Sequence, residues 1–243
     1  MYADDLLLIS ASIIDLQAML DICADIGSSL GILFNSTKSK CITIGPNEVS
    51  IRANLTIAGA PLKWENSIKY LGITVCSASR FEIDLSDVRR KFFASVNAIL
   101  SKCKYSNETV NLQLVESHCL PILLFAIESL NLKNSQVKDL NSWWNAVFRK
   151  IFKYNKWESV KELIFLLERL DVVHLIYLRR LKFIKNAFQY EHVNSIMRNI
   201  MKYYCHTSEF YSVLHTCNVQ SQWTFSKMKA VLYDNFKSKV TKN

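Results

Sequence analysis

Four residues near the start of the chain, Tyr2-Ala3-Asp4-Asp5, have the composition of a metal-dependent site. Two adjacent carboxylates at a turn repel each other until cations neutralise them. Their oxygens are hard donors suited to Mg²⁺. In nucleotidyl transfer, two such ions activate an attacking 3′-hydroxyl and stabilise the departing pyrophosphate. Taken alone, the same four residues are equally compatible with an exposed acidic turn. What decides between the two is the set of elements that would position them.

Residues 5–11 (DLLLISA) are a short apolar run after the acidic pair and predict a buried strand. Ser12 is placed to cap a helix with Asp15 at its third position. Ile13, Leu16, Leu20, Cys23, Ile26 and Leu30 then recur at helical spacing, so 13–30 reads as one amphipathic helix closed by Gly31. Strands are expected over 40–44, 49–57 and 68–76, punctuated by Gly45-Pro46 and Gly59-Ala60-Pro61. The order strand, helix, strands describes an α+β piece.

Beyond residue 80 the pattern turns helical. Val88, Phe92, Phe93, Val96, Ile99, Leu100 and Cys103 fall on one side of a helix over 84–103. A helical stretch over 108–132 should break at Pro121. Over 136–153 the stripe is Leu140, Trp143, Trp144, Val147, Phe148 and Ile151. Ser159 with Glu162 has the form of a capping box, and Asp171 is expected to start a helix running to Tyr190. The tail from 201 reads as helical. The expected organisation is 1–80, 81–155 and 156–243, without internal repeats or low-complexity segments.

Three elements, in order, carry a family resemblance. Tyr2-Ala3-Asp4-Asp5 with its strand and helix resembles the catalytic hairpin of reverse transcriptases. Gly31-Ile32-Leu33-Phe34-Asn35-Ser36-Thr37-Lys38-Ser39 is similar to the Gly-Leu-x-x-Asn-x-x-Lys-Thr stretch of LINE-type and group II intron enzymes, with Ile32 for Leu and Ser39 for Thr. Lys69-Tyr70-Leu71-Gly72 resembles the Lys-Tyr-Leu-Gly element of the primer grip. More loosely, Leu120 to Glu128 resembles the Pro-x-Leu-Leu-Tyr-Gly-x-Glu helix after the polymerase core of LINE proteins, with Phe125 for Tyr and Ala126 for Gly. The likeness is to the C-terminal portion of a non-LTR retrotransposon reverse transcriptase: part of a palm, a helical thumb and a helical C-terminal region.

The resemblance implies an RNA-directed DNA polymerase site. Asp4 and Asp5 would be catalytic Mg²⁺ ligands, and Tyr2 would lie beside the primer terminus. Lys38 would face the phosphates of the entering dNTP, with Asn35 nearby, and Tyr70, Leu71 and Gly72 would shape the primer grip. Partners would be an RNA template with a DNA primer, or the RNA–DNA duplex. The residues alone also allow Lys38 to be a solvated lysine at a strand entrance, Asn35 a turn residue and Gly72 an ordinary strand glycine. The family's third carboxylate comes from a strand upstream of this motif, and Met1 stands directly before Tyr2. The chain is therefore expected to be inactive alone unless another chain supplies the missing half. A nuclear location is implied by the resemblance only.

Charge distribution points to a polyanion. Residues 1–80 hold 6 Lys/Arg against 7 Asp/Glu, leaving 24 against 14 for the rest. Backbone-binding candidates are Arg89, Arg90, Lys91, Arg149, Lys150, Lys153, Arg179, Arg180, Lys182 and Lys185, although at least half would serve equally as a solvated helix face. The alternative function is accordingly a non-enzymatic nucleic-acid-binding remnant. Seven scattered cysteines without a CxxC pair fit reduced thiols in an intracellular protein. Cys205-His206 and His215-x-Cys217 lack zinc spacing, so zinc is not expected. Neither a signal peptide nor a membrane span is expected; the run Cys119–Ile127 is too short to span.

Overall fold

The computed structural model describes residues 4–46, 53–190, 195–204 and 223–241. The chain divides into two compact units, Met1–Asp87 and Val88–Asn243, each taken separately below. The fold is α+β: short strands in the first unit, helices in the second.

In the first unit, α1 (Ile13–Ser29) starts where Ser12 caps it, its hydroxyl accepting from the Asp15 N–H at 3.4 Å. It ends in a Schellman closure. Gly31 takes φ 69°, the Ile32 N–H returns to the Gly27 carbonyl at 2.8 Å and the Gly31 N–H to Ser28 at 3.2 Å. Gly27 is buried under Phe34, and a Cβ there would meet the ring at 2.8 Å and the Ile32 carbonyl at 2.9 Å. The core is Leu20, Leu55, Ile57 and Leu62, with Leu8, Ile13, Leu16, Phe34, Cys41 and Trp64 packed around it. Gln17 fastens α1 to the strands: its amide accepts from the Thr56 N–H and donates to the Thr56 carbonyl, both at 2.9 Å.

Among the described residues, three small sheets accompany α1. β1 (Lys40–Cys41) pairs in parallel with β4 (Lys63–Trp64). β2 (Thr56–Ile57) and β3 (Ala60–Pro61) form a tight hairpin. β5 (Ser67–Tyr70), β6 (Ile73–Cys76) and β7 (Glu82–Asp84) form an antiparallel meander. Both hairpins turn through two residues with positive φ: Ala58 at 49° with Gly59 at 77°, and Leu71 at 47° with Gly72 at 83°. That geometry matches the twist of the flanking strands.

The strand expectations need correction. Residues 6–10 are not in a sheet, because no strand among the described residues offers them a ladder. Leu8 still turns inward while Leu7 and Ile9 are exposed, the alternation of a strand without its neighbour. The run 68–76 is two strands, because Leu71-Gly72 reverses the chain. Pairing over 40–44 is confined to 40–41 and over 49–57 to 56–57, with 47–52 outside the described residues. Ile26 on α1 (55% exposed) and Leu30 just after it (67%) face solvent, so beyond Cys23 the apolar stripe leaves the core and only Gly27 is buried.

The second unit follows its helical patterning closely. α2 (Ser86–Lys102), whose first turn holds the boundary, buries Phe92 and Val96. α3 (Glu108–His118) is capped by Asn107, and Pro121 opens the short α4 (Leu120–Leu123). α5 (Asn134–Phe152) buries Leu140, Trp144, Val147, Phe148 and Ile151. Phe92, Trp144 and Phe148 meet as tilted or edge-on rings with centroids 6.4 and 5.4 Å apart. After α6 (Lys161–Leu166) comes α7 (Val172–Tyr190), whose first turn is capped by Asp171 through the His174 N–H at 2.9 Å. α8 (Ser195–Tyr204) precedes α9 (Phe225–Val240), which packs Phe236 against Phe165 and His174. The Ser159–Glu162 capping box does not form. Val160 takes the cap position, and Ser159 reaches only the Lys161 N–H at 3.4 Å.

Candidate functional site

Asp4 sits in a turn and Asp5 at an isolated bridge position, both exposed, while Tyr2 lies outside the described residues. Among the described residues no group of three His, Cys, Asp or Glu side chains gathers to hold a metal. Asp4 and Asp5 have the right donor chemistry for Mg²⁺, but the pair by itself does not fit a two-metal centre, which needs more donors than two adjacent carboxylates bring. No catalytic step is assigned through it. Cys205, His206, His215 and Cys217 lie outside the described residues.

Downstream of α1, Asn35 organises a tight turn. Its side-chain carbonyl accepts from the Thr37 N–H at 3.0 Å, the Thr37 hydroxyl at 2.6 Å and the Lys38 N–H at 3.1 Å. Asn, with a short polar side chain, favours such local closure. The Asn35 carbonyl is thus committed to the turn, and the turn presents Lys38 to solvent.

The Lys69–Gly72 element occupies the end of the β5–β6 hairpin. Tyr70 is half-buried opposite Ile73, and Leu71 lies exposed at the tip. Lys69 forms an ion pair with Asp87 in the first turn of α2 at 3.2 Å, which ties the hairpin stem down. A leucine at φ 47° is unusual, because its Cβ crowds the following carbonyl. Strain of this kind, kept at an exposed tip, is common where a backbone must present itself to a ligand.

The basic candidates fall into distinct classes. Arg89, Arg90, Lys91, Lys150, Lys153 and Lys182 are exposed. Arg89 lies over the Trp143 ring at 5.7 Å, Lys182 over Phe225 at 5.4 Å, and Lys150 donates to Asn97 at 2.6 Å. Arg180 is buried and donates to the Leu130 carbonyl at 3.0 Å, so its guanidinium serves the interior of the helical unit. Arg179 bonds the Leu124 carbonyl at 2.9 Å and stands 3.8 Å from Glu128; Lys185 bonds the Trp223 carbonyl at 3.1 Å. Trp144 is core and Trp143 half-buried.

In the segment joining α5 to α6, sequence reasoning singled out Lys153 and passed over its neighbours. The segment holds Lys153, Tyr154, Lys156 and Trp157, all exposed. Its Glu158 carboxyl is held below the usual carboxylate range by hydrogen bonds from the Asn155 side chain and backbone. The available signal was a tryptophan next to a lysine, Lys156-Trp157, at a short break between two helical stripes. Elsewhere, burial pushes the thiols of Cys41, Cys76 and Cys119 upward, with Asp84 and Glu82 adding to the effect at Cys76. Among the described residues no helix is long and apolar enough to cross a membrane.

Comparison with protein-family models, with curated proteins and with solved structures finds no match for this chain.

Proposed function

We propose that the chain is the primer-gripping palm segment and thumb-like part of a non-LTR retrotransposon reverse transcriptase, and that it holds an RNA–DNA primer–template by its backbone. The observation carrying this reading is the Lys69–Gly72 hairpin. Its strained, exposed Leu71-Gly72 tip stands on a stem whose Lys69 pairs with Asp87 of the same unit, and it follows Tyr2–Asp5 and Asn35–Lys38 in the family's order. Support also comes from exposed cations on α2 and α5, which suit phosphate contacts that do not read sequence.

In this reading the hairpin tip packs on the primer strand, Lys38 lies toward dNTP phosphates and the helices carry the duplex. RNA-directed synthesis belongs to the family; the donors that would complete Asp4 and Asp5 are not among the described residues. A second reading, a nucleic-acid-binding remnant without catalysis, rests on the exposed cations of α2 and α5 alone.

The test is primer extension on an RNA template with Mg²⁺ and dNTPs, beside Asp4→Asn/Asp5→Asn. Extension abolished in the double variant is expected if the polymerase reading is complete in this chain. Binding of the primer–template without extension, unchanged by the double variant, selects the remnant. Absence of both refutes the proposal.

A further inference from the structure

Trp157 is 87% exposed, and Tyr154 40%, on the loop that follows α5. Tryptophan is among the side chains with most to gain from leaving water, so its display needs a reason. The loop cannot tuck it away, because its backbone is held from within. Lys153 ends α5 in the left-handed region at φ 59°, and the Tyr154 N–H returns to the Arg149 carbonyl at 3.0 Å. The Glu158 carboxylate accepts from the Asn155 N–H at 2.7 Å and from its side-chain amide at 2.8 Å. Arg149 Nε donates to the Glu158 carbonyl at 2.8 Å and ties the far end back to α5.

This bonding has an electrostatic consequence. The Glu158 carboxylate keeps its charge but is tied to Asn155 at the far end of the loop, so 153–158 turns two lysines against one glutamate outward, with Lys156 the cation beside the indole. Lys156 Nζ stands over the Trp157 ring, 4.8 Å from its centre. At 87% exposure the other face of the indole is open.

We propose that the 153–158 loop is a stacking platform for single-stranded nucleic acid. A base lies on the open face of Trp157, and the neighbouring phosphates pair with Lys153 and Lys156. Every base has a π-face and every linkage a negative charge, so the platform needs no particular sequence. The pre-formed loop also lowers the ordering cost of binding. An acidic peptide would gain little from the indole, and an apolar partner would have to desolvate two lysines. The proposal goes beyond the primer–template reading and stands whether or not Asp4 and Asp5 take part in catalysis.

The experiment titrates the full chain into a fluorescein-labelled oligouridylate of about twelve nucleotides and follows anisotropy. It compares the native chain with Trp157→Ala, Trp157→Phe and Lys156→Gln, and with a blunt duplex as second ligand. Because Trp157 is exposed, its variants should keep the native melting temperature. Trp157→Ala is expected to weaken single-strand binding about ten-fold, Trp157→Phe to restore most of it, and duplex binding to stay within about two-fold. Single-strand binding that is absent, indifferent to Trp157→Ala, or lost equally with duplex binding overturns the platform. So does Trp157-dependent sedimentation with phosphatidylserine vesicles when RNA binding does not depend on Trp157. Primer–template binding that survives while the platform fails leaves the polymerase reading untouched.

Discussion

Leu71 holds a backbone conformation that is costly for the fold. Its φ of 47° belongs to a hairpin turn that Asn or Gly adopts with less strain. Leu71→Asn is expected to stabilise the chain by about 0.5–1 kcal/mol, read as a rise in the urea midpoint. If the tip grips a primer, the same variant should bind primer–template more weakly, because the apolar contact is gone. Higher stability with unchanged binding would remove the hairpin from the interface. The sequence made the Lys69–Gly72 motif visible but not its shape. Ile68 to Cys76 is rich in strand-forming residues, and their propensity hides a two-residue reversal at Leu71-Gly72. Asn35 was legible as a turn residue, since its short amide closes such turns locally. Arg180 was not legible as an interior residue, because a helical period gives the angle of a side chain and not whether a neighbour covers it.

Among whole elements, helices were easier to read than strands. A helix satisfies its backbone within one segment, so local pattern and caps suffice for α1, α2 and α5. A strand needs a partner that its own residues do not specify, which is why residues 6–10 carry a strand-like pattern without a ladder among the described residues. Caps repeat the lesson at finer grain. Asp171 both caps α7 and bonds the buried His174 ring through Oδ1 at 2.5 Å, whereas Ser159 caps nothing. Asp171→Ala should therefore cost about 2 kcal/mol: a lost cap plus a buried ring nitrogen left without its partner. Ser159→Ala should change stability by less than about 0.5 kcal/mol. Chemical denaturation of both variants decides the matter, and equal effects would mean that Asp171 contributes only its surface charge.

Taken as a whole, the chain is a basic protein whose cationic excess lies in its second, helical part, and that asymmetry was readable from residue counts. The change of pattern near residue 80 set the expected boundary, and the division after Asp87 falls inside the first turn of α2, where the helical pattern runs on without a break. If exposed cations on α2 and α5 contact phosphates, duplex affinity should fall steeply as salt rises, with about 0.9 of a logarithmic unit per phosphate contact. Loss of about two contacts' worth of slope in Arg89→Gln/Lys91→Gln would place α2 at the interface. A slope near zero in the native chain would remove backbone binding altogether.

The two extremes of tryptophan environment lie on and just beyond a single helix. Trp144 on α5 is 1% exposed, with an indole N–H that finds no acceptor, and Trp157 just past the helix end is 87% exposed. The dry indole should emit at short wavelength and be shielded from aqueous quenchers, while the wet one emits to the red and is quenched readily. Iodide should be drawn to the second by Lys156 and thus quench the red edge of the spectrum first. Trp64, Trp143 and Trp223 lie between these extremes, so the blue edge of the spectrum reports the core and the red edge the surface loop.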